Sequence, residues 1–414
     1  MYYKLYPENT IVYGKKGFCI HSIINSKMYH FESKYIPIIK DIERNKPLED
    51  IYNKYDEKTV KDLTQFLNEK VLGKFHKKNI FIERLRTYTK NNYLLEKYYN
   101  DFEISSVWIE LNGNCNYNCS FCNEENHVLK SCGCKKWPDQ RNLTLNDYYK
   151  LIDKLIDWKC KEYVFMGGEP LLNIETLEGI LNYFNKKNYS PNITIYTNAL
   201  LLTDELINNF KHFNIKYVIT LFSHNEKTYD LITKINGSYR KVVNTITKLK
   251  QQKIAYTLQG LISPYNQHEL PDFIEYLKNH NYTLNYIYDT VNNYDYYEEI
   301  NKIENKLISS DYLDEAKHYN FCFYKKIAIS NTGDIFPCPM IRYSSLGNIK
   351  KQSLVDIIKE KKIFEFWELT KDKIEDCKNC EYRYACLDCR ALEYAQSGSL
   401  YKTNFCEYAG ENNK

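Results

Sequence analysis

Apolar residues fall along the chain in two rhythms, and the changes between them divide it. The opening rhythm is that of strands. Tyr3-Lys4-Leu5-Tyr6 and Thr10-Ile11-Val12-Tyr13 are short strand-like runs, and Gly14-Lys15-Lys16-Gly17 is a turn signal. Phe18 to Ile24, then Asn25-Ser26, then Lys27 to Phe31 read as a hairpin. Helical spacing follows: Tyr35, Ile38, Ile39 and Ile42 share one face, as do Val60, Leu63, Phe66, Leu67 and Val71. Residues 1–90 therefore predict a three-strand, three-helix α+β unit, and residues 91–103 a linker.

From residue 104 to 290 the two rhythms alternate. Strands are expected at Ser106–Leu111, Glu162–Met166, Ile193–Thr197, Tyr217–Phe222, Ala255–Ile262 and Tyr282–Tyr288. Thr144-Leu145-Asn146-Asp147 is a capping-box-like start for a helix carrying Tyr148, Leu151, Ile152, Leu155 and Ile156. Further helices are expected near Ile174–Lys186, Asp204–Phe213, Tyr239–Gln251 and Leu270–Asn279. Alternating βα units imply a parallel sheet with right-handed crossovers. The fold class is α/β, a partial (β/α)6 TIM-type barrel, with ligands at the carboxyl ends of the strands. Residues 291–320, rich in Tyr, Asn and Glu, read as a bridging helix, and residues 321–408 as a separate cysteine-rich domain.

Composition narrows the picture. The 414 residues suggest two or three domains, and a net charge of +4 gives no reason to expect nucleic acid or an anionic membrane as partner. No apolar run reaches the length of a membrane span, and Met1-Tyr2-Tyr3-Lys4 does not open a signal peptide, so a cytoplasmic location is expected. In that compartment thiols stay reduced, so 14 cysteines with C-x2-C clusters read as metal ligands rather than disulfides. Oxygen-labile clusters would suit an anaerobic source.

Cys115, Cys119 and Cys122 stand at C-x3-C-x2-C after the apolar strand Val107–Leu111. Soft sulfur ligands close together make a metal site. A structural zinc wants four protein ligands. An iron–sulfur cube with three cysteines leaves one iron open, so the loop reads as a [4Fe-4S] site. The next strand ends in Gly167-Gly168-Glu169-Pro170. Paired glycines let the backbone approach a ligand closely, and the carboxylate can hold an ammonium.

C-x3-C-x-Phe-C followed one βα unit later by G-G-E-P resembles the radical S-adenosylmethionine (SAM) superfamily. The resemblance implies that Gly167, Gly168, Glu169 and Pro170 bind the SAM amino group, with Phe121 against adenine. The open iron would chelate the methionyl amine and carboxylate. Thr197-Asn198-Ala199 resembles the family's T-N-G run, with Ala199 in place of glycine, and Asn198 joins the cofactor-binding set. Thr220 and Ser223, in Thr220-Leu221-Phe222-Ser223-His224, are candidates for the SAM ribose or carboxylate. Their plainer reading is that they end a strand, as a zinc loop beside a chance GGEP is for the cysteines. Cys132-Gly133-Cys134 could be a lid, a redox pair or an extra ligand, with the lid favoured. Cys19 and Cys160 read as buried apolar residues.

The rear cysteines, Cys322 and Cys338 around Gly333, then Cys377, Cys380, Cys386, Cys389 and Cys406, resemble the SPASM domain, a carrier of two auxiliary [4Fe-4S] clusters. The family's last spacing is C-x3-C; here it is C-x2-C, with Arg390 at the expected place. The resemblance implies one cluster on Cys377, Cys380, Cys386 and Cys406, and another with an open iron on Cys322, Cys338 and Cys389. A zinc ribbon on Cys377, Cys380, Cys386 and Cys389 is the competing reading. Residues 1–90 resemble, in pattern alone, the winged-helix-like PqqD leader-recognition domain of peptide maturases, which implies that a leader peptide adds a strand to the sheet edge.

Together these resemblances imply SAM and three [4Fe-4S] clusters, a flavodoxin- or ferredoxin-type electron donor, and a precursor peptide with leader as partner. The implied reaction is a thioether or carbon–carbon crosslink in a ribosomally made peptide. A sulfatase-type maturase, a peptide epimerase and a non-catalytic leader-binding scaffold are the alternatives.

Overall fold

The structure is a computed structural model that describes residues 1–82, 102–122, 143–286, 310–404, 406 and 408. The expected pair Cys132 and Cys134 and most of the linker and bridging segment lie outside these residues.

The front of the chain makes two small sheets. β2 (Asn9–Tyr13), β3 (Gly17–Ser22) and β4 (Lys27–Glu32) form an antiparallel meander, with Ser22 opposite Lys27 across the predicted hairpin. β1 (Tyr2–Leu5) pairs instead with β5 (Gly73–His76), so this part has more strands than the three expected. β5 is too short to show a rhythm, and it is fixed by its return to β1 after the helices. Those helices are α1 (Ile36–Glu43), α2 (Leu48–Lys54) and α3 (Glu57–Glu69). Phe18, Ile20, Ile38, Ile39, Ile42, Leu63 and Leu67 form their shared core. Phe66 and Val71, expected on the buried face of α3, are 36% and 50% exposed. Val71 has left the helix and sits at positive φ, so helical spacing no longer sets where it points.

β6 (Ser106–Asn112), β7 (Glu162–Gly167), β8 (Asn192–Thr197), β9 (Ile215–Leu221), β10 (Tyr256–Ile262) and β11 (Tyr282–Tyr286) run parallel, each beside its predecessor in sequence. The intervening helices are α4 (Leu145–Asp157), α5 (Ile174–Lys186), α6 (Asp204–Phe210), α7 (Glu226–Thr233), α8 (Ser238–Gln251) and α9 (Leu270–Leu277). The predicted capping box opens α4: Thr144 Oγ1 accepts from the Asp147 amide at 3.3 Å, and the Thr144 amide donates to Asp147 Oδ2 at 2.8 Å. Alternate strand residues face opposite ways. Val107, Ile109, Leu111, Tyr163, Phe165, Ile193, Ile195, Tyr217 and Ile219 join the core shared with the helices. The other face carries Trp108, whose ring meets Tyr196 at 5.4 Å. This is a partial TIM-type core.

The sheet does not stop at β6. β12 (Lys326–Ile329) pairs parallel to it, and β13 (Asp334–Phe336) and β14 (Gly347–Asn348) extend it antiparallel. The rear domain is thus part of the barrel's own sheet, which the sequence pattern did not predict. α10 (Ser310–His318), α11 (Leu354–Lys359), α12 (Lys362–Trp367) and α13 (Arg390–Ser397) complete the described elements. Phe102 stacks on Trp367 at 5.7 Å and 14°, fastening the start of the barrel to α12.

The front unit is seated on the rear domain. The Lys15 amide donates to the Asn379 carbonyl at 2.9 Å, and Arg383 Nη1 donates to the Tyr13 carbonyl at 2.9 Å. Cys19, fully buried as expected, packs with Met28, Leu313 and Ala385 across this seam. A Cβ on Gly14 would stand 2.4 Å from the Glu381 backbone nitrogen, so only glycine fits that approach.

Candidate SAM site and auxiliary cysteines

The cysteine loop leaves the carboxyl end of β6 and is anchored at both sides. The Asn118 and Ser120 amides donate to the carbonyls of Thr233 and Ile232, at 3.1 and 2.9 Å, at the end of α7. The Glu169 amide donates to the Asn114 carbonyl at 2.8 Å. Asn112 Nδ2 donates to the Glu169 carbonyl at 2.9 Å. Cys119 is buried and Cys115 and Cys122 half-buried. Phe121 is buried with its ring 5.6 Å from that of Phe222.

The glycines of the second motif are required by this seam. A Cβ on Gly167 would lie 2.2 Å from the Asn112 oxygen, and one on Gly168 2.1 Å from the Asn114 oxygen. The strand that carries Glu169 can therefore reach the cysteine loop only as Gly-Gly. Pro170 then opens a short 3-10 turn, Pro170–Asn173.

Glu169 is completely buried. Its Oε1 accepts from the Leu171 amide at 3.1 Å and Thr197 Oγ1 at 2.8 Å, and its Oε2 from the Asn198 amide at 2.7 Å. All three donors are neutral. Burial lifts its carboxyl from the usual 4.5 to about 7, against the pull of those hydrogen bonds. Among the described residues no cation is paired with this enclosed carboxylate. Asn198 links the parts, since its Nδ2 donates to Asn116 Oδ1 at 2.6 Å and lies 3.6 Å from Cys115 Sγ. Ala199, where the family has glycine, sits at φ +62°, the region glycine favours.

Thr220 and Ser223 are both buried at the end of β9. The Ser223 hydroxyl donates to Glu269, as does that of Thr228. Asn266, also fully buried, donates to the Leu261 carbonyl at 2.8 Å and to the Phe222 carbonyl, which clamps the ends of β9 and β10 together. Thr197 belongs to the T-N-G-like run, whereas Asn112, Asn266 and Glu269 were not singled out from sequence. For Asn112 and Asn266 the one signal is position, at or just after the end of an apolar strand, and Glu269 stands instead at the start of α9.

A further buried pair joins the barrel to the rear domain. Glu110, 1% exposed on β6, pairs with Arg342 and accepts from Asn331 Nδ2 at 2.6 Å. Arg342 Nε donates to the Pro339 carbonyl at 2.8 Å, next to Cys338.

In the rear domain Cys377, Cys380 and Cys386 lie on consecutive turns, with the Cys380 amide 2.9 Å from the Cys377 carbonyl. Burial pushes the Cys380 thiol up to about 12, with Glu381, Cys386 and Cys377 adding to the rise. Burial pulls the Arg390 guanidinium below the ordinary arginine range, opposed by Glu393 and by Cys377, Cys386 and Cys406. Cys377 and Cys386 thus lie within electrostatic reach of Cys380, and Cys377, Cys386 and Cys406 within electrostatic reach of Arg390. Cys389 stands at the residue before α13, where its side chain makes no capping hydrogen bond. Cys322 lines a cavity of about 280 Å³ with Cys386, Lys371 and Arg383. Cys338 is buried, with the Met340 amide 3.4 Å from its Sγ.

Among the described residues no three His, Cys, Asp or Glu side chains converge on one point as a single ion requires. A cube takes one thiolate on each iron, so its ligands surround a volume instead. Three thiols on one loop, the glycine-lined seam and a buried carboxylate that meets neutral donors among the described residues fit a cube and an aminoacyl ligand.

Comparison with known proteins agrees with that geometry. Residues 109–277 match the radical SAM superfamily, and residues 321–381 match an iron–sulfur cluster-binding domain, SPASM. The chain is a radical SAM/SPASM protein. It is 22% identical over 284 residues to the radical SAM cyclopropyl synthase TigE of Paramaledivibacter caminithermalis, covering 64% of this chain and 59% of that protein's length. Among solved structures it resembles Streptococcus suis SuiB bound to its precursor peptide SuiA, at 14% identity and a TM-score of 0.54. That match covers 98% of this chain and 100% of the other. It also resembles anSMEcpe with bound AdoMet, at 15% identity and a TM-score of 0.57, over 74% of this chain and 95% of that one. No helix among the described residues is long and apolar enough to cross a membrane.

Proposed function

We propose that this chain is a cytoplasmic radical SAM maturase that installs a thioether or carbon–carbon crosslink in a ribosomally made precursor peptide. The observation that carries this reading is the front α+β unit, held to the rear cysteine domain by the Lys15–Asn379 backbone hydrogen bond and by Arg383 on the Tyr13 carbonyl. That three-part arrangement matches SuiB, solved with a precursor peptide, over nearly the whole chain. In this reading residues 1–90 bind the leader, residues 104–290 bind SAM and residues 321–408 hold two auxiliary clusters.

Cys115, Cys119 and Cys122 would hold the SAM-binding cluster, while Cys377, Cys380, Cys386 and Cys406, and Cys322, Cys338 and Cys389, would hold the others. When cluster and SAM are bound and an external flavodoxin or ferredoxin supplies an electron, the site gains a carbon radical able to abstract hydrogen from the peptide. The chain's own residues position and shield. Glu169 offers its carboxylate to the methionyl ammonium, and that cation favours the ionised form that burial alone opposes. Asn198 fixes the loop around Cys115, and Gly167 and Gly168 keep the loop and Glu169 in register. Thr220 and Ser223 line the ends of the neighbouring strand for the ribose or carboxylate, and Phe121 supplies an apolar wall for adenine. Burial of Glu169, Ser223 and Asn266 keeps water from these groups.

The test is anaerobic incubation of iron–sulfur-reconstituted protein with SAM, a reductant and a candidate precursor encoded beside this gene. A product lighter by two hydrogens per bond, dependent on the leader, supports the reading. Deoxyadenosine release with an unchanged peptide, or with deuterium uptake and no mass loss, counts against it.

A further inference from the structure

Arg390 stands where the family pattern places a cysteine, and it is completely buried. Its Nη1 donates to the carbonyls of Leu400 and Lys402, at 3.0 and 2.8 Å. Asp388 and Glu393 flank Nη2, the latter at 3.6 Å. The Leu400–Lys402 segment leads into Thr403, whose hydroxyl lies 3.7 Å from Cys377 Sγ, and on to Cys406. The guanidinium therefore ties the start of α13 to the segment that touches Cys377 and runs on to Cys406. Nε and Nη2 are both buried without a hydrogen-bond partner among the described residues, and only Nη2 has the two carboxylates within ion-pair reach, so Nε–H is left over. Buried N–H groups without acceptors are rare in folded proteins, so an unmatched one points at something still to be bound. The two carboxylates do not account for it, because they meet the other end of the fork.

We propose that Arg390 is the donor and counter-charge of the auxiliary cluster held by Cys377, Cys380, Cys386 and Cys406, and that it raises that cluster's reduction potential. The inference rests on the cluster assignment above and says what replaces the cysteine the spacing has lost. Reduction adds one negative charge to a cluster. A fixed cation and an N–H directed at its sulfur favour the reduced form. A planar guanidinium does both while its Nη1 stays bound to the Leu400 and Lys402 carbonyls. Arg390 is a positioning and tuning residue, with no part in ligating iron.

The test uses a variant in which Cys115, Cys119 and Cys122 are all replaced by alanine, so that only the rear sites carry iron. Redox titration followed by electron paramagnetic resonance reads the midpoint. With Arg390→Met, the reduced-to-oxidised ratio at the original midpoint should fall at least tenfold, about 59 mV for a one-electron couple. Arg390→Lys, which keeps the charge and loses the fork, should fall between. Where Arg390→Met loses its iron, the arginine itself can be read. Protein labelled with guanidino-15N arginine should show 15N coupling to a reduced rear cluster by pulsed resonance, retained in Arg383→Lys. Clusters present with an unmoved midpoint and no 15N coupling would overturn the role of Arg390 and leave the cluster assignment standing. Rear sites that bind no iron in the unaltered chain would overturn both.

Discussion

The two cysteine-bearing regions are built on opposite principles. Around Cys115, Cys119 and Cys122 the frame is the sheet: the loop hangs between two strand ends and the end of α7 by backbone hydrogen bonds of 2.8–3.1 Å. Around Cys377 to Cys406 regular structure is sparse. Short turns are held by buried charges, Arg390 with Asp388 and Glu393, and by contact with the front unit. A site hung on a sheet can exist before its metal. A site stitched from charges and thiols depends far more on what the thiols bind.

That contrast can be broken most directly by removing iron. Anaerobic chelation should make the stretch 374–406 protease-sensitive while amides of the barrel strands stay protected from exchange. Equal protection in both would overturn it. Next in size is Gly168→Ala, which drives a Cβ to 2.1 Å from the Asn114 oxygen. Backbone must shift, so a loss above about 4 kcal/mol in denaturant unfolding and abolished SAM binding are expected. Arg342→Met removes the charged partner of the buried Glu110 carboxylate. A cost of about 3 kcal/mol by the same measurement would be at the low end for a broken buried pair.

Glu169→Gln should weaken SAM binding roughly 10- to 100-fold, or about 1.4–2.8 kcal/mol, measured by calorimetry. Its pH behaviour has a definite sign. With the carboxyl raised from 4.5 to about 7, the folded chain holds a proton through that window that the unfolded chain has lost. Stability without SAM therefore falls as pH rises from 4.5 to 7. SAM needs the ionised form, so binding should release a proton near pH 6 and weaken on acidification below about 7. Glu169→Gln should flatten both profiles. The smallest effect is Thr144→Ala, remote from both sites, which removes the α4 cap at a cost of about 1 kcal/mol with SAM binding unchanged.

The contrast also separates what was legible in the sequence from what was not. Strands β6–β11 and their helices have local rhythms, and the start of α5 at Ile174 and the cap at Thr144 could be read from neighbours a few residues away. The cysteine loop and GGEP could be placed at strand ends for the same reason. The pairing of β12 with β6 could not, because strand rhythm says nothing about which distant strand lies beside it. Glu110 illustrates the gap. It reads as one polar residue in an apolar strand, and its partners Arg342 and Asn331 come from the distant rear domain. Glu269 and Asn266 are equally silent, since their partners Ser223 and Phe222 lie across a turn of tertiary structure. Gly167 and Gly168 were legible as close-approach glycines, while the backbone they approach, Asn112 and Asn114, was not.

The place of β12 has a consequence in time. Ser105 and Lys325, which begin this pairing, are 220 residues apart. At a synthesis rate of about 5–20 residues per second, β6 waits roughly 10–40 s on the ribosome before its second neighbour exists. During that interval the strand that leads into the cysteine loop is a sheet edge with open hydrogen-bonding groups. A chain ended before residue 326 would keep that edge permanently and is expected to aggregate when expressed alone, even though it contains both the cysteine loop and GGEP.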